Sequence, residues 1–150
     1  SGKAAIDFEL SRKILDTARG SVEFTVDRGK LVDTGIQDGL GLLLSELKYK
    51  LRDLEFNKIY GNIDIRGTNY LINSFIFNSN NVRLKITGNF NKQLLASPLN
   101  ITLEFTRAFI QDLPGVITIG LNKYLKGDWY IMPFIQTGDM MKGSNLRRAD

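Results

Sequence analysis

The sequence predicts an α+β domain that is mainly β, in which one antiparallel sheet carries an amphipathic helix on its apolar face. Three observations lead to this fold class. Apolar and polar residues alternate with a period of two over much of the chain. Short turn-forming segments separate the alternating stretches, and a single longer stretch follows the helical period instead. A second, shorter helix is predicted over residues 12–19, capped by Ser11 and closed by Gly20.

The clearest strand signal lies in residues 82–90. Apolar side chains and Gly88 occupy every second position there, and polar side chains such as Arg83 and Lys85 occupy the positions between them. Four other segments alternate in the same way, and their apolar positions are Ile6, Phe8 and Leu10; Val22, Phe24 and Val26; Ile63 and Ile65; and Ile101, Leu103 and Phe105. Residues 70–77 and 129–135 are two further strands, and Pro133 in the last of these is typical of an edge strand.

The connections between the central strands are short. Residues 66–69 (Arg-Gly-Thr-Asn) and 78–81 (Asn-Ser-Asn-Asn) contain residue types that tolerate positive φ. Parallel strands would need crossovers of a dozen or more residues, so these turns predict an antiparallel three-stranded meander over residues 61–90.

One segment follows the i, i+3/i+4 spacing of an amphipathic helix. Its apolar stripe consists of Leu40, Leu43, Leu44, Leu47, Leu51 and Leu54. We expect this helix to cover part of the apolar face of the sheet. Since no linker interrupts the chain, residues 1–150 are interpreted as a single domain. Residues 1–2 resemble a cloning remnant and residues 137–150 are expected to form a flexible tail, so the natural protein is expected to be longer.

The composition argues against an enzyme. The chain has neither cysteine nor histidine, which removes thiol chemistry, the commonest general base and the commonest transition-metal ligand. Ser45 and Lys48 have a Ser-x-x-Lys spacing but fall inside the predicted helix. Asp64 and Glu104 occupy polar positions of their strands and are interpreted as solvated charges. We therefore predict no catalytic residue, no metal and no cofactor.

The charge pattern does not favour nucleic acid. The net charge of +4 and the pI of about 9.4 are mildly basic. However, the basic residues are interleaved with acidic ones and do not alternate with aromatic residues as in a stacking platform. A soluble surface is the simplest interpretation, and affinity for anionic lipid headgroups is an alternative.

The order of these motifs resembles the C-terminal region of the AsmA family. That family shows a Gly-led alternating strand, a short Gly-hydrophobic turn, a helix, and a phenylalanine-led pair of strands that closes on a Gly-containing strand. The matching segments here are residues 20–24 (GSVEF) and 28–31 (RGKL). The matching single positions in the second half are Phe56, Ser79, Ile86, Gly88, Asn89 and Phe90.

The resemblance implies a function and a location. AsmA-like proteins are periplasmic, are anchored by an N-terminal inner-membrane helix, and take part in phospholipid transport and outer-membrane assembly. Their fold is a long, curved, antiparallel sheet with an apolar groove, called a β-taco. The expected role of this chain is therefore a lipid-binding module of a periplasm-spanning protein.

A groove of this kind also follows from the amount of apolar surface. A helix is only ~10 Å wide, so one helix leaves part of a broad sheet uncovered, and acyl chains fit such a surface without hydrogen bonds. The predicted groove lining is Phe75, Phe77, Val82, Leu84, Ile86, Phe90, Ile101, Leu103 and Phe105. An ordinary core position is the alternative for each of them. The alternative function is a structural module that docks by its sheet edge on a neighbouring repeat of the same chain or on an outer-membrane assembly protein.

Overall fold

The structure is a computed structural model, and it describes residues 18–31, 54–110, 120–140 and 142–149. Within these ranges the chain forms a curved, unclosed, antiparallel sheet of eight strands. The strands are β1 (Arg19–Leu31), β2 (Leu54–Arg66), β3 (Asn69–Asn78), β4 (Val82–Asn91), β5 (Leu95–Thr106), β6 (Leu125–Lys126), β7 (Trp129–Asp139) and β8 (Leu146–Arg148). One short helix, α1 (Arg107–Ile110), follows β5, and two 3-10 turns lie at Asn122–Tyr124 and Gly143–Asn145.

Neighbouring strands in the sheet are mostly neighbours in sequence. The order is β1-β2-β3-β4-β5-β7-β6, and β8 also pairs with β7. The predicted antiparallel meander is therefore confirmed as β2, β3 and β4. The mainly β fold class is confirmed as well. The predicted strand at Ile6, Phe8 and Leu10 lies outside the described residues.

The two helix predictions have different outcomes. The stripe Leu40, Leu43, Leu44, Leu47 and Leu51 lies outside the described residues, whereas Leu54 is the first residue of β2 and not the end of a helix. Residues 12–17 of the second predicted helix also lie outside the described residues, and the helix does not extend to Gly20, because Arg19 and Gly20 already belong to β1. Gly20 also lacks the positive φ of a C-cap glycine.

The C-terminal segment is part of the sheet, which corrects the expected flexible tail. Residues 137–139 continue β7, and β8 pairs with residues 134–136 of β7. The Nε2 atom of the buried Gln136 donates to the Asp139 backbone oxygen at 3.1 Å, and Asn145 Nδ2 donates to the same oxygen at 3.0 Å. These bonds hold the β7–β8 turn against the strand.

Pro133 lies on the side of β7 that is only partly paired. β6 pairs with residues 129–130 and β8 with residues 134–136, so Pro133 falls between them. The backbone N and O of one strand residue point to the same side of the strand. Because the Pro133 oxygen accepts from Ala149 N at 3.1 Å, its nitrogen, which has no hydrogen to donate, also faces this side. The prediction of an edge strand is therefore wrong, because β7 pairs on both sides. The sheet accommodates Pro133 because it falls in the gap between two short strands.

One side of the sheet is apolar across its whole width. A single row of cross-strand partners illustrates it, and this row consists of Val26, Ile59, Phe77, Leu84, Leu103 and Met132. The side of the sheet that carries this row is called the apolar face below. The opposite side, the polar face, carries the partners Lys58, Asn78, Arg83, Glu104 and Ile131. The alternation in the sequence predicted this division.

Candidate functional site

The apolar face is buried unevenly. Along the row that starts at Val26, the exposed fraction falls from 46% on β1 to 3% at Phe77 on β3 and 0% at Leu103 on β5. Ile59, between the first two, is partly buried. Along this row the side chains on β3, β4, β5 and β7 are buried by other protein atoms, whereas those on β1 and β2 are not fully covered.

The covered part is an ordinary hydrophobic core. Ile110 of α1 is 1% exposed, and Leu121 and Tyr124 join the same buried cluster. Helix α1 starts there because Thr106 caps it: its Oγ1 atom accepts from Phe109 N at 3.3 Å. Phe105 stacks on Tyr130 with the ring centroids 5.5 Å apart.

The predicted lining residues divide between the two parts. Phe77, Val82, Leu84, Ile101, Leu103 and Phe105 are buried among the protein's own side chains. Phe75, Ile86 and Phe90 are only partly buried, and they pack against the edge of that core. The structure places all nine on the apolar face, and it leaves only these last three accessible in part.

The accessible part of the apolar face includes residues that were not predicted to belong to the site, and all of them except Ile59 lie in predicted strands. These residues are Val22, Phe24, Val26, Ile59, Ile63, Ile65 and Tyr70. Together with Phe75, Ile86 and Phe90 they are called the open patch below. The alternation at Val22, Phe24 and Val26 was visible in the sequence. The missing information was which strands the rest of the chain covers.

Aromatic side chains in and beside the open patch shape its surface. The ring of Phe24 lies over its cross-strand partner Gly61, and the ring of Phe56 lies over Gly29 in the same way. Phe56 also contacts Phe77, with the ring centroids 5.9 Å apart. At the other end of the patch Tyr70 stacks on its partner Phe90 at 5.0 Å. Aromatic carbon therefore forms much of this surface, and it is suited to apolar ligands.

A cleft of about 770 Å³ lies where β1 and β2 reach the end of the sheet. The described residues that line it are Arg19, Gly20, Ser21, Asp64, Ile65, Arg66 and Gly67. Arg19 and Arg66 are direct cross-strand partners, and Asp64 lies 3.7 Å from the Arg66 guanidinium group. Two arginines opposite each other favour an anionic group at this point. Ile65 connects the cleft to the open patch.

Among the described residues of the polar face, one carboxylate is buried. Glu104 is 5% exposed, which corrects its interpretation as a solvated charge. Lys85 Nζ lies 2.5 Å from one of its oxygens and Arg83 3.7 Å from the other. The Arg83 guanidinium also lies 3.9 Å from the centre of the Trp129 ring. Arg83 is the direct cross-strand partner of Glu104, and Lys85 is the diagonal neighbour on the same strand.

The carboxylates considered for catalysis do not come together. Asp64 on β2 and Glu104 on β5 are separated by β3 and β4, and each has its own basic neighbour. Among the residues that the structure describes, no group of three or more His, Cys, Asp or Glu is placed to hold a metal ion. No helix in the same residues is long and apolar enough to cross a membrane.

Comparison with known proteins adds no relative: no family model, no curated protein and no solved structure matches this chain.

Proposed function

We propose that this chain is a non-catalytic lipid-binding module, and that its open patch accepts the acyl chains of phospholipids. The observation that carries the proposal is the gradient of exposure along the apolar face, from 46% at Val26 to 0% at Leu103. An apolar surface left open beside a closed core favours an apolar ligand or partner. The open patch has no charged member.

The energetics of such binding are favourable. Removing apolar surface from water gains about 0.8 kcal/mol per buried CH₂ group. A chain segment of about eight methylenes therefore gains roughly 6 kcal/mol before the cost of ordering it. The patch needs only shape and apolarity for this role.

The cleft beside the patch supports a phospholipid rather than a free hydrocarbon. Arg19 and Arg66 face each other at one end of β1 and β2, and Ile65 links them to the apolar face. The two arginines belong to the polar face by the strand alternation, but they stand at the very end of β1 and β2, where Ile65 of the apolar face lines the same cleft. A headgroup phosphate bound there would sit at this end of the sheet, and its acyl chains would pass around the strand ends to reach the open patch. Guanidinium groups bind phosphate by two parallel hydrogen bonds, so a pair of them is well suited to this group.

The biological setting follows from the resemblance to the AsmA family. We propose that the chain is part of a periplasmic protein with an N-terminal inner-membrane anchor, which takes part in phospholipid transport and outer-membrane assembly. The curved, unclosed sheet is compatible with a β-taco groove. The resemblance rests on short motifs, and one of them includes Gly88, whose positive φ of 125° no other residue type adopts easily.

A structural role is the second candidate, and one observation favours it. Among the described strands, β1 pairs only with β2, and it is 13 residues long. A strand of this length with one edge unpaired among the described strands is a template for another strand. The partner would be a neighbouring repeat of the same chain or an outer-membrane assembly protein.

The test is lipid extraction followed by mass spectrometry of the purified chain. Phospholipid should co-purify with the wild-type chain and be lost from Val26→Asp, because a carboxylate on the open patch is costly to bury. Thr25→Asp is the matched control: it places the same charge on the other side of the same strand and should retain the lipid. Equal lipid content in both variants would contradict the proposal. Concentration-dependent dimerisation without bound lipid would favour the structural role.

A further inference from the structure

The turn between β4 and β5 exposes two consecutive leucines. Leu94 is 42% exposed and Leu95 is 44% exposed. In the described part of the chain, only Val26 is a comparably exposed large apolar residue. The two leucines lie at the end of the sheet that also carries the β2–β3 and β7–β8 turns. This end is called the turn end below.

The turn holds Leu94 in an unfavourable backbone conformation. Its φ is 58°, in the left-handed region that glycine and asparagine adopt readily and leucine does not. Four hydrogen bonds hold the backbone there. Asn91 Oδ1 accepts from Gln93 N and Leu95 N at 3.0 Å each, Leu94 N donates to Asn91 O at 2.9 Å, and Met140 N donates to Leu94 O at 2.9 Å. A strained residue fixed so firmly, with its side chain in solvent, points to a role for that side chain.

The turn end is also basic. Its charged residues in the described segments are Arg19, Arg66, Lys92 and Lys142, against Asp64 and Asp139. Lys142 lies 3.7 Å from Asp139, but its side chain is 69% exposed. The opposite end of the sheet also carries basic residues, among them Arg28, Lys30, Arg107 and Lys126, so the pair of exposed leucines, and not the charge alone, distinguishes the turn end.

The adjacent turns are fastened to each other. Lys92 N donates to the Thr68 oxygen of the β2–β3 turn at 2.9 Å, and the bond from Met140 to Leu94 joins the β7–β8 turn. Gly67 N donates to Ala18 O at 2.7 Å, which links the β2–β3 turn to the start of β1. The leucines and the basic residues therefore belong to one connected surface.

We infer that the turn end docks on an anionic phospholipid bilayer, with Leu94 and Leu95 inserted among the headgroups. Exposed leucines beside basic side chains have the two features that an anionic membrane surface attracts, apolar side chains for the acyl boundary and positive charge for the phosphates. The docked orientation places the cleft at Arg19 and Arg66 next to the membrane, where a phospholipid could enter. The inference goes beyond acyl-chain binding, because it uses none of the open patch.

The experiment is co-sedimentation of the full chain with vesicles. The vesicles contain phosphatidylcholine alone or phosphatidylcholine mixed with an equal amount of phosphatidylglycerol. The chain should sediment with the mixed vesicles and only weakly with the neutral ones, and added salt should release it.

Three variants identify the docking surface. Leu94→Asn should weaken binding to the mixed vesicles roughly tenfold, because an apolar side chain is lost. The unfolding temperature of this variant should stay the same or rise, because asparagine tolerates φ of 58°. Lys92→Glu should weaken binding by about fivefold or more, because each basic residue near an anionic membrane surface strengthens binding by about fivefold. Lys126→Glu makes the same charge change in β6 at the other end of the sheet and should leave binding unchanged.

Three results would overturn the inference: equal binding to neutral vesicles, full binding by Leu94→Asn, or equal losses in Lys92→Glu and Lys126→Glu. Failure to bind any vesicle, with self-association that Leu94→Asn abolishes, would replace the bilayer with a protein partner. The result is separable from acyl-chain binding, because Val26→Asp should lose co-purified lipid and still sediment with the mixed vesicles.

Discussion

Phe24 and Gly61 face each other across β1 and β2, and the Phe24 ring fills the space in which a side chain at position 61 would lie. A Cβ atom on Gly61 would come within 2.3 Å of two ring carbons of Phe24. The glycine therefore lets the aromatic ring lie down on the sheet, where it forms part of the open patch.

Replacing Gly61 by alanine should force the Phe24 ring away from the sheet. We expect a loss of about 1–2 kcal/mol in the free energy of unfolding, at the lower end for overpacking because a partly buried ring has room to move. Urea unfolding measures this loss of stability. Gly20→Ala is the matched control, because a Cβ at Gly20 in the neighbouring strand meets nothing within 4 Å. That variant should be neutral or slightly stabilised. An unchanged free energy of unfolding in Gly61→Ala would show that the position of the Phe24 ring does not depend on the glycine.

Gly88 makes a stronger demand on its position. Its φ is 125°, and a Cβ atom there would lie 2.3 Å from the backbone oxygen of Pro98. Backbone cannot swing aside as a ring can, so Gly88→Ala should cost about 3 kcal/mol or more. Gly127→Ala separates the two causes, because Gly127 has a φ of 61° with nothing within 4 Å. It should cost about 1 kcal/mol in urea unfolding. Similar losses in both variants would mean that φ alone, and not contact with Pro98, explains the need for Gly88.

Glu104 should contribute more to stability than an exposed carboxylate. Glu104→Gln removes the negative charge that faces Lys85 and Arg83 in a buried position, and we expect a loss of about 1–2 kcal/mol. Asp64→Asn is the matched change in the exposed pair with Arg66, whose side chain is 69% exposed, and it should cost less than about 0.5 kcal/mol. Thermal and urea unfolding of both variants measure the two losses in the free energy of unfolding. A larger loss in Asp64→Asn would contradict the burial of Glu104 as the cause.

The sequence predicted the sides of the sheet well, because side chains in a strand must alternate between its two faces. Leu84, Leu103 and Phe24 all lie on the face that their alternation indicates. The same alternation could not distinguish their exposure. Leu103 is buried by residues far along the chain, such as those of α1 and β7, whereas Phe24 lies on β1, which has β2 as its one partner among the described strands.

The burial of polar residues was also hard to predict, because it too depends on which side chains the fold brings next to them. Glu104 has the spacing of a solvent-facing residue, but the long side chains of its cross-strand neighbours lie over it. The C-terminal pairing was missed because β8 has only three residues, too few to show a period. The strain at Leu94 had no sequence signal, since a leucine in the left-handed region is not predicted from residue type.

The most direct test of the central claim is photocrosslinking from β1 in the presence of phospholipid. A photoreactive residue is placed at Val26 in one variant and at Thr25 in another, and lipid adducts are measured by mass spectrometry of the intact chain. Adducts should form from position 26, on the open patch, and not from position 25, on the opposite side of the same strand. Adducts of equal yield from both positions, or from neither, would contradict acyl-chain binding on the apolar face.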